Sequence, residues 1–400
     1  MKLTSLPSDV NPSPTSPLDF PSQKRVHITS RTPSTDNLTR LQKALGDKIV
    51  GVRQGIKSHT PRDDVVEIVN DVRAKGADIL GTLCAGSLTD GAKIVLHVPT
   101  ALANNVSTLS EFSRLTAESK PQNPKSCLLP VINIPTTLSG EEYSDLAGCT
   151  DTRTHHKVFF THPSMLAQLV ILDPALSTST PERIWLPTGI RAVDHCVEGL
   201  CSLDRRAGLE TDRVLTAGLK LLVPSLLLTK RKWEDEKARF DSMLGVIESM
   251  KGVSTGLSMG GSHGIGYQLG PLGVEHGETS CIMLPAVLKY NARHGDDEIR
   301  AWEQKVLNIL RDQATVAEVL KRKGLQKETA DAGDVVGAII SELGMPRTLN
   351  DVGVGREKLD DLAVKCLKDA WLRTNPVPLL EKRQVLDILE AVVGDGKSHL

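Results

Sequence analysis

The chain is 400 residues long and carries 48 basic against 49 acidic side chains, a formal net charge of −1. That length points to two domains with ample core-forming sequence, and the charge balance excludes nucleic acid and anionic membrane surfaces as expected partners. Seven scattered cysteines without a CxxC pair read as reduced thiols of a cytoplasmic protein, and no apolar run approaches the ~20 residues of a membrane span.

Residues 1–23 hold five prolines and a single basic residue, Lys2. Proline at that density prevents a regular helix or strand, so a disordered tail is expected there rather than a signal or transit peptide. Over 24–174 short apolar runs alternate with amphipathic ones. RVHITS (25–30), KIVGVRQG (48–55), ADILGTL (77–83), CLLPVINIP (127–135) and LAQLVILDP (166–174) read as strands. STDNLTRLQKALG (34–46) and RDDVVEIVNDVRAKG (62–76) read as helices, each closed by glycine. Strands separated by such helices make βαβ units, hence an α/β domain with a doubly wound parallel sheet. The runs at 203–228, 232–253, 297–313 and 329–344 all have helical spacing, which predicts an all-helical domain over 175–400. A ligand is expected in the cleft between such domains, outside the carboxyl ends of the strands.

Four stretches carry candidate chemistry. In ADILGTLCAGSLTDGAK (77–93) a buried strand runs into the small-residue turn Cys84-Ala85-Gly86-Ser87 and then a helix. Ser87 is a natural N-cap with Asp90 three residues on, and the free N–H groups of such a helix start suit a phosphate or pyrophosphate. The same turn also reads as an ordinary strand-to-helix cap. In INIPTTLSGEEYSDLAGCTD (132–151) a strand ends at Pro135 and delivers Thr136, Thr137, Ser139 and Gly140 into a loop, whose hydroxyls fit a cofactor or plain solvent. His155 and His156 are adjacent and read as surface residues, while Lys157 has the reach to touch a cofactor. TGIRAVDHCVEGL (188–200), read as a helix, stacks Arg191, His195 and Glu198 on one face. SMGGSHGIGYQLGPLGVEHGE (258–278) sets His263 and Tyr267 four apart on a glycine-rich helix, with His276 in a following loop. The glycines beside His263 let a partner approach the backbone closely.

Taken in order, CAGSLTDGAK (84–93), PTTLSGEE (135–142), DPALSTSTP (173–181), GIRAVDHCVE (189–198), HGIGYQLG (263–270) and EHG (275–277) carry a family pattern. They resemble the iron-containing (group III) alcohol dehydrogenase superfamily, which includes the maleylacetate reductases and reads GGGSxxDxxK, PTTxxxGSE, GxDAxxHxxE, HGxxHxLG and PHG. The resemblance implies a dinucleotide-binding α/β domain followed by a helical domain, with NAD or NADP as cofactor and a small or medium carbonyl or alcohol as substrate. It puts Gly86 and Ser87 on the pyrophosphate turn, Asp90 near the nicotinamide, and Thr136, Thr137 and Lys157 along the cofactor. His195, His263 and His276 fall on the three metal-binding histidines. A homodimer is compatible with it.

The departures from that pattern carry as much information. The family's carboxylate ligand, the Asp of GxDAxxHxxE, is Arg191 here. A permanent guanidinium cannot ligate a divalent cation and opposes one nearby. Asp194 lies about 100° round the helix from His195, a poor substitute, although its spacing of three lets it pair with Arg191. Tyr267 replaces the second histidine of HGxxHxLG, and Cys84 and Ala85 replace two loop glycines. The expected activity is therefore a metal-independent hydride transfer between NAD(P)H and a carbonyl compound. Arg191 supplies the positive charge that the oxygen needs, with His195, His263 and Tyr267 as candidate proton donors and His276 beside them. Maleylacetate reductases, with Asn at the same position, offer a parallel. An ordinary metal-dependent member, and a non-redox enzyme or cofactor-binding relic on the same scaffold, are the alternatives. Ser30-Arg31 after the first strand favours NADP, because arginine suits a 2′-phosphate.

Overall fold

The structure, a computed structural model, describes residues 26–30, 35–56, 60–83, 86–97, 108–112, 129–151, 157–162, 165–204, 208–326 and 329–394. The expected tail over 1–23 lies outside them. The described chain forms two compact units, divided between Ser179 and Thr180.

In the first unit the described residues form seven strands: Val26–Ser30 (β1), Ile49–Gln54 (β2), Ile79–Leu83 (β3), Val131–Ile134 (β4), Leu146–Thr150 (β5), Lys157–Thr161 (β6) and Leu169–Val170 (β7). Five make a parallel sheet in the order β2-β1-β3-β4-β7. Its apolar residues alternate to two covered faces. Val26, Ile28, Ile79, Leu83 and Ile134 pack with Leu38 and Leu45 of the helix Asn37–Leu45 (α1). On the other face Leu80 and Val131 pack with Val65, Ile68 and Val72 of Arg62–Ala74 (α2) and Leu88 of Ser87–His97 (α3). A sheet buried on both faces needs strands that are apolar throughout, which is why these segments read as continuous runs. The strand order reverses about β1, so the crevice outside the carboxyl ends of β1 and β3 is the topological switch point, where ligands of such sheets bind.

The stretch past Pro135 is not a loop throughout. After Gly140 the chain forms one 3-10 turn, and β5 then pairs antiparallel with β6, burying Ala147, Cys149 and Phe160. LAGCT has a single large apolar residue, so it gives no run of its own. Its burial comes from pairing with β6 and from packing against α3.

The second unit is helical among its described residues. Its helices are Glu182–Cys201 (α4), Gly208–Arg231 (α5), Glu236–Val253 (α6), Gly261–Leu269 (α7), His276–His294 (α8), Asp297–Arg311 (α9), Ala314–Lys323 (α10), Ala332–Leu343 (α11), Leu359–Cys366 (α12) and Lys382–Ala391 (α13). α4 is buried along most of its length, packed by α5, α6, α8 and α9. Ile265 and Leu269 of α7, Ile282 and Met283 of α8, Leu362 of α12 and Ile388 of α13 share a further core. His276, expected in a loop, is the first residue of α8. The extended Glu275 before it ends the loop one residue early. No helix among the described residues is long and apolar enough to cross a membrane.

Candidate active site

Two groups of expected site residues are positioned by the fold, one in each unit. In the α/β unit, β3 and β4 pair with Leu83 opposite Ile134, so the Gly86 turn and the Thr136–Thr137 loop leave the same edge of the sheet. Gly86 has φ +57°, a left-handed conformation that strains any residue with a Cβ, and a Cβ there would meet nothing within 4 Å. At Gly86 it is therefore the backbone conformation, not a neighbouring side chain, that requires glycine. Ser87 begins α3, and its carbonyl accepts from Thr60 Oγ1 at 3.0 Å.

The expected Ser87–Asp90 capping pair does not form. The Asp90 carboxylate lies 3.1 Å from Lys93 Nζ and accepts from Gly148 N–H at 3.4 Å, tying α3 to β5. The reason is Lys93, which is buried and needs a counter-charge. Its ammonium also donates to Ser144 Oγ (3.1 Å) and the Leu146 carbonyl (2.6 Å). In the loop, Thr137 Oγ1 accepts from Ser139 N–H at 3.4 Å and lies 3.3 Å from Ser139 Oγ, while Thr136 is buried. Glu142, two residues past Gly140, is buried against Thr89 Oγ1 (3.0 Å), and burial lifts its carboxyl to about 7. Lys157 heads β6. Its side chain and that of Ser30 lie outside the described residues, as do Arg31, Cys84, Ala85, His155 and His156.

In the helical unit α4, α7 and α8 bring together Arg191, His195, His263, Tyr267 and His276. The rings of His195 and His263 are 4.8 Å apart between centroids, and Tyr267 stands edge-on 6.4 Å from both His263 and His276. The Arg191 guanidinium carbon is 5.7 Å from the Tyr267 ring centroid. Its Nη1 donates to Ser280 Oγ at 3.2 Å and lies 3.9 Å from Asp194 Oδ2. The spacing-based pairing of Arg191 with Asp194 is thus present as a loose contact.

Two carboxylates that the candidate residues did not include complete the cluster. Asp194 Oδ2 accepts from Ser262 Oγ (2.8 Å) and Ser280 Oγ (2.6 Å). Glu198 reaches from α4 to the start of α7, where Gly260 N–H (2.8 Å) and Ser262 N–H (2.7 Å) donate to its two oxygens. An acid is favoured at that positive helix end. Glu198 Oε2 is also 2.7 Å from His263 Nδ1. The face shared by Arg191, His195 and Glu198 was the available signal for Glu198. For Asp194 the signal was its spacing of three from Arg191, while its bonds to Ser262 and Ser280 come from other helices. The glycines around His263 admit protein rather than a ligand: a Cβ on Gly264 would strike Leu372, and one on Gly266 would lie 2.9 Å from Thr279 Oγ1.

Burial sets the charge states. It pushes His195 well below the ordinary histidine range, with His263 and Arg191 adding to the effect. Burial and Arg191 push His263 down to about 3, against the pull of Asp194. Both imidazoles are therefore neutral near pH 7, and Arg191 is the cation among them. Burial raises Asp194, and raises Glu198 to about 7 against the backbone N–H groups that favour its ionised form. The side chains that could hold a metal ion are not the three expected histidines but Asp194, Glu198 and His263. Among the described residues, only Asp194, Glu198 and His263 bring ligand atoms within 4.8 Å of one another, and His195 and His276 are not in that group. The bonded oxygens of both carboxylates are engaged by serines, backbone N–H groups and His263, with a guanidinium 3.9 Å from Asp194.

A model of the iron-containing alcohol dehydrogenases matches residues 19–174, and one for the C-terminal part of the same family matches 186–393. Dehydrogenase ALT3 of Alternaria alternata is 43% identical over 389 residues, covering 92% of this chain and 99% of that protein. Dehydrogenase FUM7 of Gibberella moniliformis is 40% identical over 386 residues, covering 91% of this chain and 90% of that protein. Among solved structures, sulfoacetaldehyde reductase from Bifidobacterium kashiwanohense in complex with NAD+ shares the fold, with a TM-score of 0.75 at 18% identity over 93% of this chain and 92% of that one.

Proposed function

Because the chain belongs to the iron-containing alcohol dehydrogenase family, a family of oxidoreductases, we propose that it transfers a hydride between NAD(P)H and a small or medium carbonyl or alcohol substrate, with Arg191 supplying the positive charge. The observation that carries this reading is the place of Arg191. Its side chain is only 11% exposed and sits among two neutral imidazoles and a phenol. Hydride delivery to a carbonyl builds negative charge on oxygen, and a cation held in a dry site stabilises that charge strongly. Asp194, fixed by Ser262 and Ser280, keeps the guanidinium from swinging away. Tyr267 is 37% exposed and stands beside the guanidinium, so it can carry a proton between solvent and the oxygen.

On the cofactor side, the open Gly86–Ser87 turn at the switch point suits the pyrophosphate, with Thr136, Thr137 and Lys157 as further cofactor residues, while the Asp90 carboxylate is taken up by Lys93 and Gly148 N–H. The NAD+ complex of the sulfoacetaldehyde reductase, which shares the fold, supports a dinucleotide cofactor, and Ser30-Arg31 favours NADP. The test is a fluorescence titration of chelator-treated protein with NADPH and then NADH, followed by assays with aldehydes and alcohols. Saturable binding without metal is expected, tighter for NADPH. No binding under any condition would sink the redox reading. Binding restored only by iron or zinc would return the protein to the metal-dependent members. Arg191→Asp should gain iron or zinc dependence, and loss of activity without any metal response would count against the assigned role.

A further inference from the structure

We infer that Glu198 is a positioning residue that locks His263 with its proton on Nδ1, so that Nε2 offers a buried lone pair to the hydroxyl of a bound alcohol. This rests on the oxidoreductase reading above and names which form of the substrate the resting site complements.

The tautomer follows from what Glu198 already holds. Gly260 N–H donates to Oε2 at 2.8 Å and Ser262 N–H to Oε1 at 2.7 Å. A backbone N–H can only donate, and an oxygen that accepts from one is a poor place for a proton. The proton in the 2.7 Å contact between Glu198 Oε2 and His263 Nδ1 therefore belongs to the imidazole. In a neutral ring with Nδ1–H donating, Nε2 is an acceptor.

That acceptor has nothing to accept from. His263 is 1% exposed, and its Nε2 makes no hydrogen bond. Buried polar atoms are nearly always satisfied, so an exception calls for a ligand or a function. The serine hydroxyls of the cluster are committed: those of Ser262 and Ser280 both donate to Asp194. A carbonyl compound brings only lone pairs and would leave Nε2 unsatisfied. An alcohol brings a donor for Nε2 and a lone pair for Arg191 on the same oxygen. A divalent cation would also meet the lone pair, but the Arg191 charge opposes it.

The measurement is a long-range proton–nitrogen NMR correlation on the full-length, chelator-treated chain with nitrogen-labelled histidine, with His263→Asn identifying the resonances. The expected spectrum shows His263 protonated on Nδ1 and unprotonated on Nε2. The Nε2 resonance should shift on adding n-butanol and stay in place with its isomer diethyl ether, which lacks a donor. A ring protonated on Nε2, a response to both compounds or to neither, or a coordination shift of Nε2 on adding zinc each overturns the inference. Glu198→Gln should release the lock and give a mixture of tautomers. Should that variant fail to fold, because Glu198 also holds the start of α7, the wild-type spectrum decides alone. Failure to bind either nucleotide in the titration above would remove the redox reading and leave the tautomer standing. A reversed tautomer in a protein that binds NADPH would remove this inference alone.

Discussion

The sheet-edge turn and the helical cluster hold their polar groups in opposite ways. At the turn after β3, the side chains of Asp90 and Lys93 serve the scaffold, and what faces open space is backbone at Gly86. In the cluster of α4, α7 and α8 the side chains themselves carry the polar groups, buried and braced by Ser262, Ser280 and backbone N–H groups. A backbone site depends on one conformation and little on side-chain chemistry. A buried charged site depends on every partner, because an unpaired charge in a dry interior is expensive and a well-held one acts strongly.

That contrast predicts unequal responses to substitution. Arg191→Met should lower turnover by about 10²–10³-fold, the scale of losing one preorganised donor to a developing charge, while NADPH titration stays unchanged. Normal turnover in that variant would mean the cluster does not work through its cation. Gly86→Val should weaken NADPH binding by roughly tenfold, since forcing a branched residue into the left-handed region costs about 1–2 kcal/mol, with the cluster untouched. Unaltered NADPH affinity would place the nucleotide elsewhere.

Glu303 on α9 gives the sharpest comparison, a buried carboxyl outside the cluster. It is 5% exposed, one of its oxygens is unpartnered, and burial raises it to about 8. The folded chain therefore keeps that proton up to about pH 8, while the unfolded chain releases it near the ordinary value of ~4.3. Between those values the unfolded state binds fewer protons, so stability falls as pH rises. Glu303→Gln should stabilise the chain by a few kcal/mol at pH 8, because glutamine has no proton to lose and each unit of raised pKa is worth about 1.4 kcal/mol, and the gain should vanish near pH 4. Melting temperatures across that range check it, and a gain independent of pH would show that ionisation is not what the site resists.

Much of the architecture was legible as pattern. β1, β3 and β4 announce themselves because both their faces are buried, and α2 and α9 because one face is apolar. The pairing of β5 with β6 was not legible, since LAGCT gains its burial from KVFFT and α3 rather than from an apolar run of its own. Arg191, His195, His263, Tyr267 and His276 could be picked out by type and spacing, and the structure gathers them. For Asp194 only the pairing with Arg191 was legible, and Glu198 could be placed on the face of Arg191 and His195 but without its partners.

By itself the sequence determined the order of the motifs, the parallel sheet and the presence of an arginine at position 191, because these are properties of residue type and local period. Tertiary structure alone decided that Asp194 faces Ser262 and Ser280, and that Glu198 meets His263 across two helices. Those partners are 65 to 86 residues apart in the chain. No local rule joins groups at such separations; they meet where α4, α7 and α8 pack together.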